Sequence, residues 1–242
     1  MKRPKLSEND GTPDLPIAAG IVATIVIFSS LISLAAERFT AIYTEPVFAI
    51  MWSIFNTSLI TIIILCYVFV RFRSHLNSIL AKPRASLIKT GFYSYLLFLP
   101  CLFFLAMLSF KFFKNMGLDP QPQQILSVYM QTDSFYILST MFFLSCVVAP
   151  FAEEVIFRGI IYPALKKSFP VPAAVIASSL FFALLHNEIF ALVGLFAFGI
   201  LLAYLFEKYD NLWISISVHF FNNLFANIAV IIIKYAGIAN KM

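Results

Sequence analysis

Charge is scarce in this sequence. Only 12% of its 242 residues are Asp, Glu, Lys or Arg, whereas 61% are hydrophobic. A soluble domain carries about 25% charged residues, so this chain has too little polar surface for a water-soluble globule and requires lipid around part of it. The net charge of +5 then reports membrane topology. We expect no nucleic-acid partner, because the basic residues lie between apolar runs and not on one face.

Other absences narrow the chemistry. The three cysteines, Cys66, Cys101 and Cys146, lie inside apolar runs, and an odd number without metal-type spacing gives no disulfide framework. The chain has no GxSxG serine elbow and no HExxH zinc helix, so the common serine and zinc hydrolase signatures are missing. It also has no internal repeat, which argues against a transporter or proton pathway.

Long apolar runs are what the sequence has in abundance, and a membrane helix needs about 20 such residues. They predict an all-α, polytopic transmembrane helix bundle of about seven spans, or eight if an interfacial helix within 117–134 is counted. The predicted spans are 15–36, 47–70, 92–110, 135 to about 165, 172–186, 189–206 and 212–233. Gly194 and Gly199 are expected to permit close helix packing in the sixth span.

The distribution of positive charge predicts the orientation. Most of the 17 Lys and Arg residues fall on the inner side if the N-terminus is cytoplasmic. We therefore expect a multi-pass protein of a bacterial cell membrane. The chain divides into a polar cytosolic tail at 1–13, N-terminal transmembrane helices at 14–134 and a catalytic helix core at 135–234.

Ionisable side chains inside spans are concentrated in the C-terminal half. A charge within a bilayer span costs about 3 kcal/mol or more, and most spans avoid it. The exceptions, with one amide beside them, are Glu153, Glu154 and Arg158 in the fourth span, His186 at the end of the fifth, and His219 and Asn223 in the seventh. The remaining histidine, His75, lies in the basic 71–89 loop, where we expect it to be solvated.

Helix geometry predicts which of these groups face each other. Adjacent residues are about 100° apart on a helix, so Glu153 and Glu154 point in different directions. Glu154 can pair with Arg158 at i,i+4, which leaves Glu153 free to face another helix. A polar stripe at the same spacing should face the protein interior; its members are Ser215, His219, Asn223 and Asn227. The fourth, fifth and seventh spans would then have to be neighbours.

This set of groups suits hydrolysis within the membrane. A desolvated carboxylate beside a histidine can activate water as a general base, and a second histidine with an amide can stabilise an oxyanion. The prediction is a water-dependent acyl hydrolase, most simply a peptidase. Glu153, His186 and His219 could instead hold a divalent metal such as zinc, although they come from three separate spans; the cofactor is left open.

The same residues resemble the motifs of the CAAX-protease and bacteriocin-processing family of intramembrane metalloproteases, also called Abi, which includes the type II CAAX prenyl endopeptidases. Its EExxxR motif is matched by EEVIFR at Glu153, Glu154 and Arg158, its FxxxH motif by FALLH at Phe182 and His186, and its HxxxN motif by HFFNN at His219 and Asn223. The three motifs occur in order over about 152–223, and the rest of the chain matches only as generic spans.

The resemblance implies a CAAX-type endopeptidase, glutamate-dependent or metal-dependent, in which Glu153 activates water and His186 assists. His219 and Asn223 would line the oxyanion side, with Glu154 and Arg158 as support. The implied substrate is a membrane-embedded or lipidated, CAAX-like peptide in the lipid bilayer. The alternative is a non-catalytic bacteriocin-immunity or membrane scaffold protein of the same fold, which would not need an ionisable Glu153.

Overall fold

The computed structural model describes residues 11–42, 46–118, 129–130 and 132–236, and the regular structure in them is entirely helical. The helices are α1 (Leu15–Ile42), α2 (Pro46–Arg71), α3 (Arg73–Ile79), α4 (Ala85–Asn115), α5 (Phe135–Ser168), α6 (Val171–Leu185), α7 (Leu192–Tyr209) and α8 (Leu212–Tyr235), with a 3-10 turn at Ile189–Ala191 before α7. The predicted all-α fold class is confirmed for these residues.

Seven of the eight helices correspond to the seven predicted spans. Within the described residues, α1, α4, α5, α7 and α8 are long and apolar enough to cross a membrane, and α2 with α3 would make a sixth span although the two are bent by 97°. Helix α6 has only 15 residues, or about 22 Å at 1.5 Å per residue, which is less than a hydrocarbon core of about 30 Å. Most of the predicted tail at 1–13 and of the predicted interfacial helix within 117–134 lies outside the described residues.

Helix α5 carries the site and is interrupted twice. It widens into π-helical turns at Leu144–Val148 and Phe157–Ile161, on either side of a regular segment at Ala149–Ile156. Pro150 and Pro163 follow these turns, and proline has no N–H for the carbonyl four residues earlier and clashes with it. The widened turns accommodate both prolines, and such turns are frequent at functional sites.

His75 corrects one prediction. It is buried rather than solvated, because residues 73–79 form the short helix α3 instead of a loop. Its Nε2 lies 2.9 Å from the carbonyl oxygen of Gly159, the carbonyl to which Pro163 has no N–H to donate. The histidine therefore supplies the hydrogen bond that the proline removes, and it ties α3 to the interrupted part of α5.

Close helix crossings bring the polar helices together. A Cβ on Gly199 of α7 would lie 3.0 Å from Cβ of Ser179 on α6, and a Cβ on Gly91 of α4 would lie 2.0 Å from Oγ of Ser217 on α8. Small residues at such crossings let backbones approach. The expectation for Gly199 is confirmed, whereas that for Gly194 is wrong, since a Cβ there would meet nothing within 4 Å.

Candidate active site

Three helices meet at the carboxylate of Glu153. Its Oε2 on α5 lies 3.5 Å from Nε2 of His186, which ends α6, and 3.8 Å from Nε2 of His219 on α8. This Oε2 is buried and has no hydrogen-bond partner among the described residues, although 31% of the side chain is exposed. The prediction that Glu153 faces another helix is confirmed. Because the side chain is partly exposed, a water or substrate can reach the carboxylate although Oε2 itself is buried.

Glu154 and Arg158 form the predicted pair at 3.0 Å, and both side chains are fully buried. The pair does more than neutralise two charges. Arg158 Nη2 donates to the carbonyl of Gly199 on α7, and Oε1 of Glu154 lies 3.0 Å from Nδ1 of His219 on α8. These bonds join α5 to both neighbours and hold the His219 ring in one orientation.

The hydrogen bonds fix which histidine nitrogens carry protons. His186 Nδ1 lies 2.7 Å from the carbonyl of Phe182, which only accepts, so that nitrogen must donate. His219 Nδ1 lies 3.0 Å from Oε1 of Glu154 and likewise donates to it. In neutral rings both Nε2 atoms would therefore present lone pairs to the Glu153 carboxylate. Three acceptors that face one another repel, so a shared proton or a cation among them would stabilise the arrangement.

Phe182 forms the apolar wall of the cluster. Its fully buried ring has its centroid 4.4 Å from that of His186 and 5.8 Å from that of His219. The Arg158 guanidinium lies 4.8 Å from the same centroid, a cation–π distance. Phe198 covers His219 from α7, with ring centroids 5.5 Å apart. These rings make one side of the cluster apolar and lower the local dielectric constant there, which strengthens the electrostatic interactions.

Asn223 lies on the same helix as His219 but is tied to another part of α5. Its Nδ2 donates to the carbonyl of Ser145 at 2.8 Å, and its Oδ1 accepts from Asn222 at 3.1 Å. Ser145 precedes Glu153 by about two helical turns. The structure thus brings His186 and His219 to the Glu153 carboxylate. It ties the Asn223 side chain, one turn from His219 on α8, to Ser145, and the second N–H of the Asn223 amide is left for another acceptor.

A second polar network supports this arrangement. Ser145 Oγ donates to Oδ1 of Asn227 at 3.2 Å, the Tyr129 hydroxyl donates to the same oxygen, and Asn227 Nδ2 donates to the Asn223 carbonyl at 2.7 Å. Asn227 was signalled by its place in the polar stripe of the seventh span. Ser145 carried no such signal, because a single serine hydroxyl in an apolar run usually bonds to its own backbone. Tyr129 carried none because it lies outside the seven predicted spans.

No preformed metal centre is found among the residues that the structure describes. Glu153, His186 and His219 are the residues that would hold a divalent metal, because Oε2 of Glu153 lies 3.5 Å and 3.8 Å from the two Nε2 atoms. Two ligands bound to one zinc ion at about 2.0–2.2 Å lie about 3.4 Å apart. Every chemical step below is derived for the side chains alone.

Comparison with known proteins identifies the same segment. Residues 135–225 match the family model described as "Type II CAAX prenyl endopeptidase Rce1-like", and they contain every motif residue named above. The similarity to the CAAX endopeptidase family is therefore confirmed for this segment. Together with the apolar helices, it defines a multi-pass membrane protein whose C-terminal helices are of a membrane-peptidase type.

A particular relative agrees with this class. The protein of Bacillus subtilis (strain 168) named "Putative membrane peptidase YdiL" is 30% identical over 110 residues, which cover 46% of this chain and 43% of that protein. The chain thus spans less than half the length of this curated relative. No solved structure matches the chain significantly.

Proposed function

We propose that this protein is an intramembrane endopeptidase that hydrolyses a peptide bond in a membrane-embedded or lipidated, CAAX-like substrate by means of a water activated by Glu153. The observation that carries the proposal is the contact of one carboxylate with two histidines on separate apolar helices, with Oε2 of Glu153 3.5 Å and 3.8 Å from the two Nε2 atoms. A partly exposed carboxylate beside two histidines can take a proton from water as a general base.

Each residue has a role in one turnover. Glu153 Oε2 takes a proton from water as the water oxygen adds to the substrate carbonyl carbon. His186 assists in its imidazolium form, in which Nδ1–H donates to the Phe182 carbonyl and Nε2–H faces the Glu153 carboxylate. The oxyanion accepts a hydrogen bond from Nε2–H of His219, whose other nitrogen is held by Glu154, and from the second amide N–H of Asn223. The proton on Glu153 then passes to the amide nitrogen, the C–N bond breaks, and a carboxylic acid and an amine leave.

The surrounding helices suit a substrate that arrives through lipid. Glu153 and His186 are about one-third and one-quarter exposed, at 31% and 28%, whereas Glu154 and Arg158 behind them are fully buried. The catalytic carboxylate is therefore accessible to a peptide bond, whereas the ion pair behind it is not. An extended peptide backbone in the hydrocarbon core leaves polar groups unsatisfied, so a shielded polar site is a favourable place for it to bind.

The test compares new peptide termini in membranes from cells that express the wild type, Glu153→Gln or Glu207→Gln at matched levels. Glu207 is the control, since its carboxylate binds Lys166 and Tyr162 at the far end of α5. We expect new termini in similar amounts in the wild type and in Glu207→Gln. Their yield should fall roughly 100-fold or more in Glu153→Gln, because that substitution removes the general base. Equal termini in all three would overturn the proposal and favour the immunity or scaffold protein.

A further inference from the structure

A cavity of about 370 Å³ lies beside the Glu153 cluster, between α4, α7, α8 and the turn that precedes α7. Its walls are mainly apolar, and include Leu102, Ala106, Phe110, Phe190 and Leu195. Its volume falls within the range of about 300–1,000 Å³ that is typical of ligand pockets. None of the groups assigned to catalysis above lines it, so its function is a separate question.

Two residues of the cavity wall also contact residues of the proposed active site. Phe198 lines the cavity, and the same ring packs on His219 with centroids 5.5 Å apart. Asn222 also lines it and donates a 3.1 Å hydrogen bond to Asn223. One aromatic ring and one amide pair therefore separate the cavity from His219 and Asn223 of the proposed active site.

Glu188 gives the cavity a charge. The left-handed conformation of Asn187, with φ of 52°, ends α6 and turns the chain, and Glu188 follows as part of the cavity wall. Its carboxylate has no hydrogen-bond or ion-pair partner among the residues that the structure describes. An unpaired carboxylate in an apolar wall attracts a cation and repels a second carboxylate.

Gly194 leaves the cavity open from the side of α7. It is part of the cavity wall, yet a Cβ at this position would meet no atom within 4 Å. The glycine is therefore not needed for close packing of helices, unlike Gly199. It instead keeps free the space that a larger side chain on α7 would fill.

From this geometry we infer that the cavity is the specificity pocket of the enzyme: it binds a bulky apolar side chain next to the scissile bond, and Glu188 selects substrates with a basic group beside that side chain. The inference rests on the proposed function and names its substrate more closely. It also implies that the free C-terminal carboxylate of a substrate does not bind in this cavity, because Glu188 would repel it.

The experiment adds three variants to the comparison of peptide termini: Gly194→Phe, Glu188→Lys and Gly20→Phe. Gly20 on α1 is the matched control, because a Cβ there also meets nothing within 4 Å and the residue does not line the cavity. Gly194→Ala serves as a milder second variant should the phenylalanine prevent insertion. The variants are compared at equal amounts of membrane-inserted protein. The readout is the sequence that flanks each Glu153-dependent terminus, meaning each terminus that is absent in Glu153→Gln.

We expect Gly194→Phe to lower cleavage beside bulky apolar residues by roughly tenfold or more relative to cleavage beside small ones, with a smaller shift in Gly194→Ala and none in Gly20→Phe. Glu188→Lys should reduce cleavage of sites with a neighbouring basic residue by a similar factor. If the Glu153-dependent termini have the same flanking sequences in all variants, the specificity pocket is overturned and the proposed peptidase function stands. An absence of Glu153-dependent termini would overturn both.

Discussion

Polar side chains serve different purposes in the two halves of the molecule. In α1 and α2, Thr24, Asn56 and Thr61 each donate a 2.8 Å hydrogen bond to the carbonyl four residues earlier in their own helix. Such bonds satisfy a side chain in lipid but do not specify which neighbour the helix packs against. Only 11% of the window Leu15–Ile32 is buried, compared with 33% of Ile189–Tyr209.

In the C-terminal half, by contrast, several polar side chains bond to a neighbouring helix. Arg158 of α5 reaches the carbonyl of Gly199 on α7, and Glu154 holds His219 on α8. Polar bonds across helices in a membrane add stability and fix the register of packing. Polar bonds therefore position the helices that carry the site, whereas the first two helices pack mainly through apolar contacts.

The largest effect that would test this contrast is the loss of a buried charge. Arg158→Met leaves Glu154 in an apolar interior without its cation, so we expect the free energy of unfolding to fall by about 3–5 kcal/mol. Thr24→Val in α1 should change it by less than about 0.5 kcal/mol. Denaturant titration in mild detergent measures both. Equal losses of unfolding free energy in the two variants would contradict the difference between the two halves. Partial recovery of stability in Glu154→Gln/Arg158→Met would show that the unpaired carboxylate causes the loss.

Within the C-terminal half, the two histidines should separate activity from stability. His186→Gln is expected to lower the yield of Glu153-dependent termini by roughly 100-fold with little loss of stability, because its Nδ1 bond returns to its own helix. His219→Gln should lower both, since its Nδ1 bond crosses to α5. The same unfolding titration checks the difference. Equal destabilisation by the two variants would contradict the distinction between bonds within and between helices.

A smaller effect is expected at the glycines of α7. Gly199→Ala forces a Cβ to 3.0 Å from Cβ of Ser179, and we expect it to lower the free energy of unfolding by about 1–3 kcal/mol. Gly194→Ala is the matched control on the same helix; it meets nothing and should be neutral or stabilising by up to about 1 kcal/mol. Equal changes in unfolding free energy for both variants would show that close packing of α6 on α7 is not required to hold the carbonyl of Gly199 near Arg158.

The smallest effect is expected where the segment before α1 meets α5. Lys167 pairs with Asp14 at 2.8 Å and also donates to the carbonyl of Thr12, but the Asp14 side chain is 66% exposed. Lys167→Met should therefore change the free energy of unfolding by less than about 1 kcal/mol, and the difference should vanish in 1 M salt because such a pair is screened. A larger, salt-independent loss would show that the N-terminal half is held more firmly than its contacts indicate.

The sequence alone predicted the helices and the relations that lie within one helix. The apolar runs are long enough to require a bilayer, so they determined the all-α fold class and the seven helices without any knowledge of packing. The pairing of Glu154 with Arg158 and the turn of Glu153 away from them both follow from 100° per residue. Both predictions were correct because the angle between successive residues of a helix does not depend on what the helix packs against.

The tertiary structure alone decided what depends on contacts between helices. His75 was expected in solvent and is buried, because a carbonyl left without a donor by Pro163 lies beside it in the fold. Gly194 was expected to pack closely like Gly199 and instead borders open space. The orientation of Asn223 towards Ser145 could not be predicted either. Each outcome depends on which distant segment supplies the neighbouring atom, and the local pattern of residues does not contain that information.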